Sequence, residues 1–322
     1  MSSQKIEHVA YKDYIPCRTA FIDAHTPGSD QKENYTIVGG GVSESPDQHV
    51  HINRKPGFNI GAAAQPAICT NSLHSHNTAE VFIIHSGSWS FYWGEHGDEG
   101  ECLLEPGDVI SLPTHMFRGF KNMSAPTDDN PDGYGFIFAV LGGDDAGGGV
   151  IWAPHVLEAA KDHGLVLMEN GQLIDTKAGQ ALPEGVQPME PVSGDMKTMH
   201  TRNRIDDAGK VVVKRDQGGE FEIIIGEQEQ AFIRERPGFR LLRWIGKADA
   251  EVGHPSDLDM VLIVNEGNLM FQSGDISQEV GTGDTLYIQA GDTAFNLTAG
   301  SQGATAFLVR PTDDPAGETD YL

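Results

Sequence analysis

Leu73-His74-Ser75-His76-Asn77-Thr78-Ala79-Glu80 opens the stretch on which the fold turns, and Gly107-Asp108-Val109-Ile110-Ser111-Leu112-Pro113-Thr114-His115-Met116-Phe117-Arg118-Gly119-Phe120-Lys121-Asn122 closes it. Between them one apolar run ends at Gly87 and a second at Trp93-Gly94, ahead of an acidic loop. Two histidines one residue apart, with a carboxylate four further on, form a compact ligand set. Residues of like parity on extended backbone face the same side. His74, His76 and Glu80 are therefore expected on one wall, with Phe82 and Ile84 adding apolar surface beside them. Imidazole plus carboxylate suits Fe(II), Mn(II), Ni(II) or Zn(II) better than a soft metal.

These residues resemble the two motifs of the cupin superfamily. The first, close to H-x-H-x(3,4)-E-x(6)-G, is met by His74, His76, Glu80 and Gly87. The second, close to G-x(5)-P-x-G-x(2)-H-x(3)-N, is met by Gly107, Pro113 and Asn122. Two positions depart: His115 stands where the family has Gly, and Arg118 where it has its last metal-binding His. The resemblance implies a small β-barrel with its site inside.

The chain then repeats itself at an offset of about 180 residues. His51 to Phe58 is echoed by Phe232 to Phe239, Glu80 to Gly94 by Met260 to Gly274, and Gly107-Asp108 by Gly283-Asp284. The expected fold is all-β: two cupin jelly-roll barrels from internal duplication, with a short helical and irregular linker. In the second copy His254 matches His74, but Ser256 matches His76, Met260 matches Glu80 and Ala294 matches Arg118. That set will not hold a hard divalent metal, so the second barrel reads as structural.

Length and composition agree. The chain has 322 residues, 39% of them hydrophobic, with 39 Gly and 17 Pro, which suits two turn-rich β domains. A net charge of −25 makes nucleic acid and anionic membrane poor partners. Cys17, Cys69 and Cys102 are odd in number and widely spaced, which fits a reducing compartment. The first residues carry no apolar signal segment, and no apolar run reaches membrane-spanning length. A cytoplasmic protein is expected, with a homodimer as its assembly.

In order, residues 1–30 read as an N-terminal arm that packs on a neighbouring barrel or subunit, 31–150 as the first barrel, 151–213 as an inter-domain segment and 214–322 as the second barrel. Within the third of these, Pro154 to His163 carries a helix signal closed by Gly164, and Asn170-Gly171 marks a hairpin. Leu182 to Met196 reads as irregular.

Each candidate has a plainer alternative. His74, His76 and Glu80 either bind metal or hydrogen-bond to one another, because polar groups facing an apolar interior are costly unless paired. Arg118 either pairs with Glu80 or clamps a substrate carboxylate, for which its planar fork is suited. His115 reads as a replacement ligand, a general base or a rim residue. Asn122 is structural, His49 and His51 belong to a surface or rim, and His85 and His96 are expected to be exposed. Trp89, Phe91 and Trp93 form a core stripe. The Gly runs lack the context of phosphate loops.

The two-barrel layout resembles the quercetinase and gentisate 1,2-dioxygenase group. That implies a metal-dependent dioxygenase-type oxidoreductase acting on a small aromatic or hydroxylated organic acid, with Glu80, Arg118 and His115 as catalytic candidates and Fe(II) on His74, His76 and Glu80. Mn, Ni or Zn, a non-redox isomerase or lyase, and a non-catalytic two-barrel protein that binds a small acid without metal fit the same residues.

Overall fold

A computed structural model describes residues 5–192, 211–234, 238–254, 257–291 and 294–312. Strands are numbered β1 to β23 along the chain. Period-two apolar runs bounded by Gly, Pro and Asn turns form three large sheets. In the first barrel one sheet runs β15 (Val212–Val213), β9 (Val109–Leu112), β6 (Glu80–Ser86), β11 (Gly135–Gly142), β4 (Phe58–Gln65), β2 (Glu33–Val38), β3 (Val50–Ile52). The other runs β12 (Ile151–Trp152), β5 (Thr70–Ser75), β10 (Arg118–Asn122), β7 (Trp89–Trp93), β8 (Gly100–Leu104). The Trp89, Phe91 and Trp93 stripe packs against Phe82 and Ile84 between them.

The second barrel repeats this order. Its path is β1 (Ile6–Val9), β22 (Thr285–Ile288), β20 (Met260–Ser273), β23 (Phe295–Pro311), β18 (Phe239–Gly246), β16 (Phe221–Gly226), β17 (Ile233–Arg234). β19 (Glu251–His254) joins β23, and β21 (Ile276–Val280) joins β20. Strand for strand, the path matches the first barrel's larger sheet, down to the parallel pairs β2–β3 and β16–β17. The fold is therefore two jelly-roll cupin barrels related by duplication.

The order also shows an exchange. β1, from the N-terminal arm, closes the second barrel on β22, and β15, at the end of the linker, closes the first on β9. The repeated Gly-Asp pairs seal both ends. The Asp284 carboxylate accepts from Tyr11 N and Gly281 N, while Asp108 accepts from Arg215 N and Glu105 N in the same way. The arm's partners, left open by the sequence, are barrels of the same chain: β1 joins the second, and Ile22 and Ala24 pack on the first.

Strand parity sets the interface. Phe82 and Ile84 face into the first barrel, while Val81 and Ile83 face out and meet Val261, Ile263, Phe307 and Val309 in one core shared by both barrels. His85 has the outward parity, and the expectation of exposure is wrong for it: it is buried against Tyr11, Phe136 and Phe138. An outward side chain becomes internal when a second barrel covers the sheet. His96 is exposed as expected.

The linker helix α1 (Pro154–Asp162) starts on its proline and ends before Gly164, whose φ of 91° suits a residue without Cβ. It lays Val156 and Ala160 on Leu73, Phe117 and Trp152 of the first barrel. The hairpin β13 (Leu165–Leu167) and β14 (Leu173–Asp175) turns at Gly171. The irregular stretch is described only to Val192, and Ser256 also lies outside the described residues. No helix of the described residues is long and apolar enough to cross a membrane.

Candidate metal centre

His74 is the last residue but one of β5 and Glu80 begins β6, so the ligand set does not sit on one wall as parity alone suggested. The chain turns between the two sheets at Asn77–Ala79, and the three side chains converge from different walls. One ligand atom from each of His74, His76 and Glu80 lies within 4.8 Å of the others, and all three residues are buried. Glu80 Oε1 is 3.5 Å from His76 Nε2, and Oε2 is 4.0 Å from His74 Nε2.

The tautomers follow from the second ring nitrogens. His74 Nδ1 lies 2.8 Å from the Ser72 carbonyl and His76 Nδ1 3.0 Å from the Gly149 carbonyl. A carbonyl only accepts, so both Nδ1 atoms carry the proton and both Nε2 lone pairs point toward Glu80. For His74 this 2.8 Å contact outweighs the 3.3 Å approach of the Asn71 amide. Burial, reinforced by the charge of Arg118, pushes the His74 imidazole down to about 3. His76 is pushed well below its ordinary value by burial and the neighbouring His74. Burial raises the Glu80 carboxyl to about 7, against the pull of Arg118. Both rings are thus neutral, as ligation requires.

Glu80 Oε2 is buried without a hydrogen-bond partner. Such an oxygen costs free energy unless something positive meets it. Two imidazole lone pairs and this carboxylate oxygen converge on one point. The residues fit a divalent first-row cation.

Arg118 is fully buried on β10, directly across from His74 in the strand pairing. Its Nη2 donates to the carbonyls of Leu112 and Pro113, and its Nε stands 3.8 Å from Glu80 Oε2. His115 adopts φ of 63°, in the left-handed region that favours the family's Gly. Its backbone N–H donates to the His76 carbonyl at 2.9 Å, which ties the turn to the ligand. Asn122 bonds the backbone at Gln65, Gly133 and Ser124, a structural role. His51 bonds Thr36 O and Ile15 N outside the site.

Beside the ligands opens a cavity of about 70 Å³ lined largely by Phe82, Phe120, Ile137, Ala139 and Trp152. Its mouth is built by Phe21 of the arm, the loop at Gly41–Ser43 and Val150. Among the described residues no Lys or Arg lines it, and neither Arg118 nor His115 does. Sequence reading missed the small residues Gly61 and Ala63 of β4 and Ala139 of β11. A Cβ added at Gly61 would stand 3.1 Å from the Tyr35 carbonyl oxygen, tighter than ordinary contact, so the strand backbones approach closely there. The visible signal was Gly61-Ala62-Ala63-Ala64, a weak strand sequence by propensity.

In the second barrel His254 is buried between Phe221 and Phe295, and Met260 occupies the place of Glu80. Register corrects one equivalence. His74 pairs with Arg118 and His254 with Phe295, so Phe295, not the exposed Ala294, is the counterpart of Arg118. Between the Gly-Asp pair and β23 the second copy has one residue more than the first.

No protein-family model matches the sequence, and no curated protein does. Solved structures do match in shape. Bacterial pirin YhhW from Escherichia coli, in complex with nickel(II), has a TM-score of 0.51 at 10% identity, covering 95% of this chain and 99% of that one. Lactobacillus farciminis oxalate decarboxylase, in a formate complex, gives 0.53 at 10% identity over 99% and 88%. The 11S allergen from Cocos nucifera gives 0.52 at 11% identity over 80% and 81%. At these identities the likeness speaks to architecture, and the architecture of this chain is that of a two-barrel cupin.

Proposed function

We propose that the first barrel is a metal-dependent enzyme of the dioxygenase type, acting on a small aromatic or hydroxylated organic acid. The observation that carries this reading is the pair of neutral imidazoles, each locked by a carbonyl with its Nε2 lone pair aimed at a buried carboxylate beside an accessible cavity. His74, His76 and Glu80 would hold the ion, Fe(II) first, with Mn, Ni or Zn as alternatives. When bound it would supply Lewis-acid polarisation and open positions for two reactants. The protein supplies the rest. Phe82, Phe120 and Ile137 would hold the hydrocarbon body of the acid and exclude water. With no Lys or Arg in the lining among the described residues, an anionic oxygen of the substrate would have its attraction at the ion itself.

Arg118 in this reading acts behind Glu80. Anchored by two carbonyls, it keeps positive charge against Oε2 and favours the ionised carboxylate. Arg118→Leu is expected to weaken metal retention by on the order of tenfold, measured by chelator competition. Metal retention unchanged, with acid binding lost, would instead make Arg118 a direct clamp.

One observation favours a second reading, a non-redox isomerase or lyase: with its carboxyl at about 7, Glu80 can take and return a proton at Oε2 near neutral pH. Oxygen uptake separates the two. After Fe(II) loading, aromatic and hydroxy acids should be consumed with O2. Turnover of an acid without O2 uptake would overturn the dioxygenase reading in favour of the second.

A further inference from the structure

Behind His74 lies a charged pair that the proposed chemistry does not touch. Asp23 sits in the short turn Ile22–His25 of the N-terminal arm, and Lys32 stands just before β2. They are 0% and 2% exposed and form an ion pair. A buried pair of this kind is weak support for stability, since apolar replacements of similar volume often serve as well or better. Its hydrogen bonds lead to the ligand. Lys32 Nζ donates to Asp23 Oδ1 and, at 3.1 Å, to Asn71 Oδ1. Asp23 Oδ2 accepts the Ser72 N–H at 3.1 Å. The Ser72 carbonyl is the acceptor for His74 Nδ1. Lys32 Nζ also lies 5.4 Å from the Phe21 ring and 5.9 Å from that of Trp152. Both rings wall the cavity, and Trp152 packs on His74 at 5.6 Å.

The second barrel lacks the arrangement. By register Gly219 takes the place of Lys32, and the half-buried, apolar Val252 that of Asn71. His254 there stacks on aromatic rings instead.

We infer that Asp23 and Lys32 are positioning residues for the metal centre: together they fix Ser72, whose carbonyl holds His74 in the Nδ1–H tautomer with Nε2 toward the ion. The inference rests on the metal reading above and gives the N-terminal arm a part in the site. Carbonyl and carboxylate partners behind a ligating histidine set ring orientation and basicity, and their loss costs about 10–100-fold in metal affinity.

Two measurements test it. In metal-free wild-type protein with ¹⁵N-labelled histidine, NMR should find His74 protonated at Nδ1. An Nε2–H tautomer overturns the inference, and no variant has to fold for this result. In the double variant Asp23→Leu/Lys32→Met, which replaces the pair by apolar groups, Co(II) affinity should fall 10–100-fold. Its Co(II) absorption bands should shift and the His74 tautomer should become mixed. A folded variant with wild-type Co(II) affinity, spectrum and tautomer overturns the inference. A wild-type protein that takes up no Co(II) sinks the metal reading itself, and the tautomer then decides the positioning claim alone.

Discussion

The two barrels share a strand order and differ in what fills them. On paired central strands the first barrel sets Gly61 opposite Ala139 and Ala63 opposite Ile137. At the same register the second sets Leu242 opposite Leu308 and Trp244 opposite Ala306. Where the first has His74, Glu80 and Arg118, the second has His254, Met260 and Phe295. The backbone is therefore compatible with either a hollow, polar interior or a filled, apolar one. Burying polar groups costs free energy, and so does leaving space unfilled beside them. The first barrel carries both costs; the second fills the matching space with Leu242 and Trp244, and its buried polar residues include His254 and Ser273. On the reading proposed above, the site belongs to the first barrel, and the second barrel contributes packing.

The largest break in this comparison is metal retention. His74→Ala together with His76→Ala should abolish it in metal analysis of the purified protein, while His254→Ala should leave it at the wild-type level. Equal loss from both changes would erase the division of labour. The next effect runs the other way. Trp244→Ala empties the second barrel and should cost about 3–5 kcal/mol in denaturant unfolding. A loss below about 1 kcal/mol would mean that Trp244 is not the filler its burial implies. Smaller again, Ala139→Leu carries the Leu308 side chain into the first barrel above Gly61. It should lower the affinity for small acids at least about tenfold, or about 1.4 kcal/mol, with metal content kept. Acid binding unchanged in titration calorimetry would place the ligand elsewhere.

How much of this was legible depended on the range of the interaction. The first motif is local, so His74, His76 and Glu80 could be singled out from spacing. The repeat was legible because Gly57, Gly87 and Gly107 and their echoes Gly238, Gly267 and Gly283 all adopt positive φ at turns, where few other residues substitute. Longer-range features were not legible. Parity put the ligands on one strand because it cannot see the turn at Asn77–Ala79. The cavity needs Gly61 to face Ala139 across a pairing that no local pattern reveals. His85 looked exposed because part of its cover, Tyr11, comes from the distant N-terminal arm. Phe295 was missed because the second copy has one extra residue in the stretch before β23. The reach of Lys32 and Asp23 to His74 passes through backbone groups, which leave no mark in the sequence.

The smallest predicted effect lies at the cavity mouth and concerns pH. The Glu44 carboxylate accepts from Ile22 N at 2.9 Å and Trp152 Nε1 at 2.6 Å, pinning the arm and a cavity wall to the loop beside Ser43. Burial raises its carboxyl to about 7, against these two bonds. Glu44 and Glu80 are the two carboxyls raised among the described residues, and both belong to the first barrel. A carboxyl raised in the folded state holds its proton where the unfolded chain, at its ordinary 4.5, has released it. Stability therefore falls as pH rises from about 4.5 to about 7 and is level above that. The depressed histidines act oppositely: His74, His76 and His254 stay neutral when folded, and stability is lost as pH falls below their ordinary 6.5. The two trends overlap in the wild type, so only a difference isolates Glu44. In metal-free thermal melts Glu44→Gln should gain on the wild type by roughly 3–6 °C in Tm between about pH 4.5 and pH 7, with a constant gap above. A gap that does not change with pH would mean that Glu44 is ionised throughout and that the mouth of the first barrel is held by an ordinary carboxylate.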